Sequence, residues 1–279
     1  MDAWEATNRA NWDERAPAHA ASPDYEVARL VADPRALSRV VSFDRDRLGD
    51  ISACRGVHLQ CHIGTDTISL ARLGARMSGL DFSLAALTEA RRIADRAGVA
   101  VEFVESDLRS ALEVLEPGSF DLVYTGIGAL CWLPRIDEWA SVVAGLLREG
   151  GRLFVREGHP MLWTLDEHVT DRLVVRLPYF EQPEAPYVED VDSTYVTTDV
   201  TFANTRSYSW NHSLGEVVSA LLANGMAITG LVEHDSVPWE ALEGQMVRED
   251  GEWRLRDRPS RLAASYTLQA VKTSARTSP

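Results

Sequence analysis

Three aspartates, Asp66, Asp81 and Asp107, each stand just past the end of an apolar run, with Gly64, Phe82 and Leu108 close by. An acid in such a place can accept hydrogen bonds from ribose hydroxyls or from an ammonium group, or it can cap the helix that follows. Two other places bring together groups that move protons. Glu157 and His159 close the run GRLFVREGH, and His212 lies in SWNHSLGE, just ahead of a helical pattern. His159, His212 and Glu157 are therefore the candidates for a general base, since imidazole titrates near neutral pH. Against that stand plain structural uses: a turn shaped by His159 beside Pro160, and a helix capped by His212. A third cluster, Cys54, His58, Cys61 and His62, has the composition of a zinc site. Along a strand His58 and His62 share one face while Cys61 points to the other, so the four do not converge and no metal is expected.

These residues need elements to position them, and from residue 56 the pattern alternates between strand and helix. GVHLQCHI reads as a strand, TDTISLARLG as a helix and ARMSGLDF as a second strand. Ser83 is a suitable N-cap for LAALTEARRIADRAG, which Gly98 ends. VEFVES, FDLVYTG and GRLFVREG follow as strands, with IDEWASVVAGLLREG as the helix before the last. Alternation of this kind makes a parallel sheet covered on both faces. Near the end, SLGEVVSALLANG reads as a helix, and MAITGLVEHDSV and SRLAASYTLQAVK as two long strands that close the sheet as an antiparallel hairpin. Ahead of all this, residues 2–20 and 37–50 read as helices. The expected architecture is α/β, Rossmann-like and doubly wound: a mostly parallel seven-stranded sheet with an antiparallel last strand, an N-terminal helical lid and a β-rich insertion.

In such a sheet ligands sit outside the carboxyl ends of the strands. The residues to read there are His62, Gly64, Thr65 and Asp66; then Asp81 and Phe82; Ser106, Asp107 and Leu108; Tyr124, Thr125 and Gly126; and finally Glu157 to Pro160. A pyrophosphate needs a glycine-rich turn with free backbone N–H groups, and Gln60 and His62 in the first turn argue against one. Asp81, at the end of the second strand, is placed for a ribose.

The order and spacing of HLQCHIGTDT, LGARMSGLDFS, FVESDL, FDLVYTGIGAL and LLREGGRLFVREGHP resemble the class I S-adenosylmethionine-dependent methyltransferases. A subgroup with a QCH-x-G-x-D-T first loop, a Trp-containing N-terminal segment and a WNHSLGE stretch is similar over roughly residues 10 to 272. The family's first loop reads acid-x-Gly-x-Gly-x-Gly. Aligned on it, His58 stands at the acid, Gln60 and His62 at the first two glycines and Gly64 at the third. The resemblance implies S-adenosylmethionine as cofactor. Gly64 would let the backbone approach the methionine part, Asp66 would take the amino group in place of the missing acid, and Asp81 would hold the ribose. Phe82 would lie against the adenine, while Asp107 and the Leu108 backbone would read its edge. Tyr124 and Gly126 would line the amino-acid end, with His62, Thr67, Ser106 and Trp12 completing the site. Capping by Asp66 and Asp107, and core packing by Phe82, Trp12, His19 and Tyr25, are the alternative readings.

The implied domains are a helical lid at 1–55, a cofactor-binding core at 56–160 and 211–272, a β-rich substrate flap at 161–210 and a tail at 273–279. Trp163, Tyr179, Phe180, Tyr187, Tyr195 and Tyr208 in the flap favour an apolar or aromatic small molecule. A net charge of −14 opposes binding to nucleic-acid phosphates. No apolar run spans a bilayer, and three cysteines suit a reducing compartment, so a cytoplasmic protein without membrane contact is expected. Two other outcomes fit the same sequence: another S-adenosylmethionine reaction, such as cyclisation or aminocarboxypropyl transfer, and non-catalytic binding.

Overall fold

The computed structural model describes residues 2–274. The expected tail at 273–279 thus falls largely on residues 275–279, outside the described ones. The chain opens with helices α1 (Ala3–Ala21), α2 (Val27–Ala32), α3 (Arg39–Phe43) and α4 (Arg45–Leu48). The core then runs β1 (Arg55–Leu59), α5 (Thr65–Arg72), β2 (Arg76–Asp81), α6 (Leu84–Ala97), β3 (Glu102–Glu105), α7 (Ala111–Val114), β4 (Phe120–Thr125), α8 (Ile136–Leu146) and β5 (Leu147–Gly158). After α9 (Pro160–Trp163) and the short strands β6 (Tyr187–Asp190) and β7 (Arg206–Ser209) come α10 (Leu214–Ala223) and β8 (Met226–His234). The chain ends with β9 (Ser236–Val237), β10 (Met246–Glu249), β11 (Glu252–Leu255) and β12 (Ser265–Lys272).

The main sheet has the order β3-β2-β1-β4-β5-β12-β8. β12 lies between β5 and β8 and runs antiparallel to both, while β1 to β5 pair in parallel. Alternation along each strand divides the core. Val57, Val123, Leu153 and Leu268 pack with Trp139 and Val143 of α8 and Val217 and Leu221 of α10. The opposite side chains Met77, Leu122, Tyr124 and Phe154 meet Leu70 of α5 and Val41 and Leu48 of α3 and α4. The order reverses between β1 and β4, and the crevice outside their carboxyl ends is where this topology takes a ligand.

Four elements depart from the sequence reading. β1 stops at Leu59 and not at Ile63, because Gln60 turns into the left-handed region. The expected helix over 37–50 breaks at Asp44, whose carboxylate turns inward to Thr267. The 161–210 segment is mostly irregular, with only the β6–β7 ribbon and an isolated Leu165–Val175 bridge as strand structure. Between β8 and β12 the chain adds a small sheet, β10-β11-β9, where a plain hairpin was expected.

The irregular insertion is held by the polar stripe of α1. Asn8, Asn11 and Arg15 recur at helical spacing and are all buried. The Asn8 amide donates to Tyr208 O and its carbonyl accepts from Tyr208 N. Asn11 donates to Asn204 O and Arg206 O, and Arg15 to Asn204 O, Val191 O and Ser193 O. Buried backbone groups must find partners. In this segment side chains of α1 supply many of those that a sheet ladder would supply elsewhere.

Candidate active site

The β1–α5 turn sets the geometry. Gln60 (φ 56°), His62 (φ 50°) and Gly64 (φ 74°) all adopt the left-handed conformation. These are the three positions that glycine fills in the family's loop, so the glycine-type backbone persists while two side chains are carried at a strain of about 1–2 kcal/mol each. Both side chains are held in place. Gln60 Nε2 donates to Ala129 O at 3.0 Å, and the His62 ring meets His19 Nδ1 at 2.9 Å. A Cβ on Gly64 would come within 2.9 Å of Ala90 and Phe103. Gly64 is thus required by packing against α6 and β3. It does not itself line the cavity described below, although its neighbours Ile63 and Thr65 do.

A cavity of about 850 Å³ opens over the carboxyl ends of β1 and β4 and extends under the insertion. At its floor stand His58, Gln60, His62, Asp66, Asp81 and Gly126. Asp81 accepts from His62 N at 2.8 Å and Ser83 N at 2.9 Å. Burial pushes its carboxyl up to about 6 against those hydrogen bonds. Burial likewise raises Asp66 to about 6. The His58 ring, hydrogen-bonded through Nδ1 to Thr67 Oγ1 at 2.9 Å, is held neutral by burial, down to about 3. A Cβ at Gly126 would lie 3.1 Å from His58 Nε2 and 3.3 Å from Asp66 Oδ2. The absence of a side chain there leaves both groups open to one spot, a cradle suited to an ammonium.

Further along the wall lie Phe82, Ser106, Asp107, Leu108 and Trp12. Asp107 also accepts from Ser110 N and Oγ, so it caps the turn into α7 as well as bordering the cavity. Ser83 Oγ, at the N-cap of α6, donates to Asp13 of α1 at 2.6 Å and ties α1 to the strand end that bears Asp81.

Several expected site residues are elsewhere. Thr67 and Tyr124 are buried beneath the floor: Thr67 supports His58, and Tyr124 stacks on Phe154. None of the three candidate bases lines the cavity, and each has structural work. His159 Nδ1 accepts from Met161 N as the cap of α9, and Nε2 meets Glu233. His212 bridges Glu181 Oε2 to Leu130 O and Leu133 O. Glu157 accepts from the backbone N–H groups of Gly128, Ala129, Leu130 and Gly158 at 2.5 to 2.9 Å. That bundle of donors fixes the loop after β4 that forms one side of the cavity.

Of the flap aromatics, Trp163, Phe180, Tyr187 and Tyr195 line the cavity, whereas Tyr179 and Tyr208 do not. Reading the sequence as strands alone missed Trp132, Trp239 just after β9 and Trp253 of β11. The pair PW at 238–239, breaking a run that would otherwise have linked two strands, was the available signal. Among the described residues one His and acid group converges with its ligand atoms within 4.8 Å of one another, Glu167, His168 and Glu189. The cysteines and histidines of the first loop are not part of it.

A methyltransferase-domain family model matches residues 57–153. Ubiquinone biosynthesis O-methyltransferase of Cupriavidus pinatubonensis is 36% identical over 114 residues, 39% of this chain and 43% of the relative. The enzyme of that description from Ralstonia nicotianae is 38% identical over 108 residues, 38% of this chain and 43% of its own. The aligned region therefore spans less than half of these curated relatives. Among solved structures, an S-adenosylmethionine-dependent methyltransferase from Mesorhizobium loti superposes over 87% of this chain and 99% of its own, with TM-score 0.57 and 19% identity. Geranyl diphosphate C-methyltransferase from Streptomyces coelicolor, solved with S-adenosylhomocysteine, covers 84% and 77% with TM-score 0.53 and 14% identity. Residues 57–153 thus match a methyltransferase domain, and the fold is that of the S-adenosylmethionine-dependent methyltransferases. The cofactor of that family fits the residues present: a buried acid at the end of β2, an apolar wall at Phe82 and Leu108, and the glycine-opened cradle at His58 and Asp66.

Proposed function

We propose that the protein transfers a methyl group from S-adenosylmethionine to a small organic acceptor. The observation that carries this reading is the single cavity wall running from Asp81 and Asp66 to the aromatic residues of the insertion and the added sheet. Donor and acceptor would lie side by side there, with no intervening element. When bound, S-adenosylmethionine supplies a methyl group already activated on a sulfonium.

Asp81 would hold the ribose hydroxyls, Phe82 and Leu108 the adenine, and Asp66 with neutral His58 the amino-acid end. Trp163, Trp239 and Trp253 would enclose the acceptor, apolar or aromatic in character. Holding two reactants in line can supply roughly 7–11 kcal/mol of a barrier without covalent help from the protein. His58 and His62 are kept neutral by burial and serve as hydrogen-bond partners, with no proton to give near pH 7.

Calorimetry with S-adenosylhomocysteine tests the reading. Binding is expected, with its loss in Asp81→Ala, and a product bearing one added methylene unit should follow in an acceptor screen. Absence of binding in the native protein would refute it.

A further inference from the structure

Over the first loop, four segments far apart in sequence deliver aromatic rings to the cavity wall: Trp12 of α1, Tyr25 of the turn at Pro23–Tyr25, Trp132 of the turn at Leu130–Trp132, and Tyr195 of the insertion. Trp12 is the hub. Its ring stands nearly perpendicular to that of Trp132 (88°, centroids 5.1 Å) and steeply tilted to that of His62 (71°, 5.1 Å). His19, fully buried behind it, is perpendicular to Trp12 and hydrogen-bonded to His62 and Thr194. The Tyr25 and Tyr195 hydroxyls hydrogen-bond each other, and both tyrosines lie within the field of Asp66.

Rings nearly perpendicular to one another turn their electron-rich faces in different directions, and these four border one cavity. Aromatic faces on such a wall attract an onium cation that carries methyl groups. Burial holds His19 down to about 2 and His62 to about 4, so neither ring opposes a cation. Arg15, whose positive field reaches His19, holds its guanidinium against backbone carbonyls of the insertion.

We infer that Trp12, Tyr25, Trp132 and Tyr195 form an onium-recognition cage in the methyl-transfer half of the cavity. The inference rests on the methyltransferase reading for its location. Two sources share the chemistry: the sulfonium of S-adenosylmethionine and a cationic amine of the acceptor. The sulfonium source has a consequence for turnover. S-adenosylhomocysteine has lost the charge, so the cage would hold the donor more tightly than the spent product and favour exchange of one for the other.

The test measures affinities of the full-length protein for S-adenosylmethionine and S-adenosylhomocysteine, in the native chain and in Trp12→Leu, Trp12→Phe and Trp132→Leu. The ratio of the two is the readout, so a loosening that weakens both cancels. A native preference for S-adenosylmethionine of about 3- to 30-fold is expected, abolished by either Leu variant and kept by Phe. Tetramethylammonium titrated into protein loaded with S-adenosylhomocysteine reports the second source: Trp12-dependent binding, with no preference between the two cofactor forms, assigns the cage to the acceptor. Equal affinities together with no Trp12-dependent tetramethylammonium binding overturn the cage. A preference that survives both Leu variants, with tetramethylammonium still not bound, overturns it too. Failure of S-adenosylhomocysteine to bind at all would instead refute the methyltransferase reading. The tetramethylammonium titration of the free protein would then decide the cage by itself.

Discussion

Asp66 and Asp81 carry most of the electrostatic content of the floor, and both titrate near pH 6 because burial opposes their charge. An ammonium placed against Asp66 favours its ionised form, so binding and proton release are linked. Affinity for S-adenosylhomocysteine should fall as pH drops from 7 to 5, by up to about tenfold per pH unit for each carboxylate that must ionise. In Asp66→Asn that dependence should become shallower and the affinity at pH 7 lower, measured by calorimetry across the range. An unchanged slope would remove Asp66 from the amino-group site. The carboxylate at Asp81 was legible from its place after a strand. The partnership of His58 with Asp66 was legible only by elimination, since the sequence shows a missing acid but not that Gly126 opens both groups to one point.

At the scale of elements, the β1–α5 turn shows why the first loop was hard to read. Glycine usually marks a left-handed residue. Here two of three such residues are Gln60 and His62, whose side chains find partners across the cavity wall. Replacing Gln60 separates strain from contact. Gln60→Ala and Gln60→Gly both lose the bond to Ala129 O, but only glycine relieves the backbone. The Ala variant should be less stable than the Gly variant by about 1 kcal/mol in urea unfolding; equal stabilities would mean the turn is unstrained. The insertion was misread for a related reason. Alternating Tyr, Val and Thr suggested strands, yet the backbone partners come from Asn8, Asn11 and Arg15, a stripe of polar residues that ordinary amphipathic reasoning would send to solvent. Its i, i+3, i+7 spacing was visible once a buried polar face was admitted.

For the whole molecule, buried histidines outweigh buried acids in the response to pH. Folding depresses His19, His58, His62 and His234 to between about 2 and 4, below the ordinary value of 6.5. The unfolded chain therefore takes up protons between pH 7 and 4.5 that the folded chain refuses, and this part of the stability is present above pH 6.5 and lost on acidification. Asp66 and Asp81 act in the opposite sense, since their raised values let the folded state bind protons first. Burial lowers His159 in the first sense and raises Glu157 and Glu167 in the second, so five rings stand against four acids and the net is a fall in stability from pH 7 to 5. Urea titrations at pH 7 and pH 5 check the sign; greater stability at pH 5 would contradict the buried neutral state of these rings. The parallel core could be read from its strand–helix rhythm, because each strand is apolar and each helix has one apolar face. What lies between those strands at 161–210 and 236–255 could not, because there polar side chains and turns, not periodic burial, decide the structure.

The polar stripe of α1 also bears on how the chain reaches this state. Helix α1 is made before the insertion and finds the partners of Asn8, Asn11 and Arg15 only some 170 to 200 residues later. Until that segment exists, these side chains have no buried role, and β1 to β5 can pair without them. Contacts of such long range form late. They also define a unit that can open with little disturbance to the sheet. Amides of the insertion that α1 protects, such as Tyr208 and Asn204, should exchange hydrogen as one group with α1 and well ahead of β1, β4 and β5. The seam between α1 and the insertion is then the last to be secured and the first to be released.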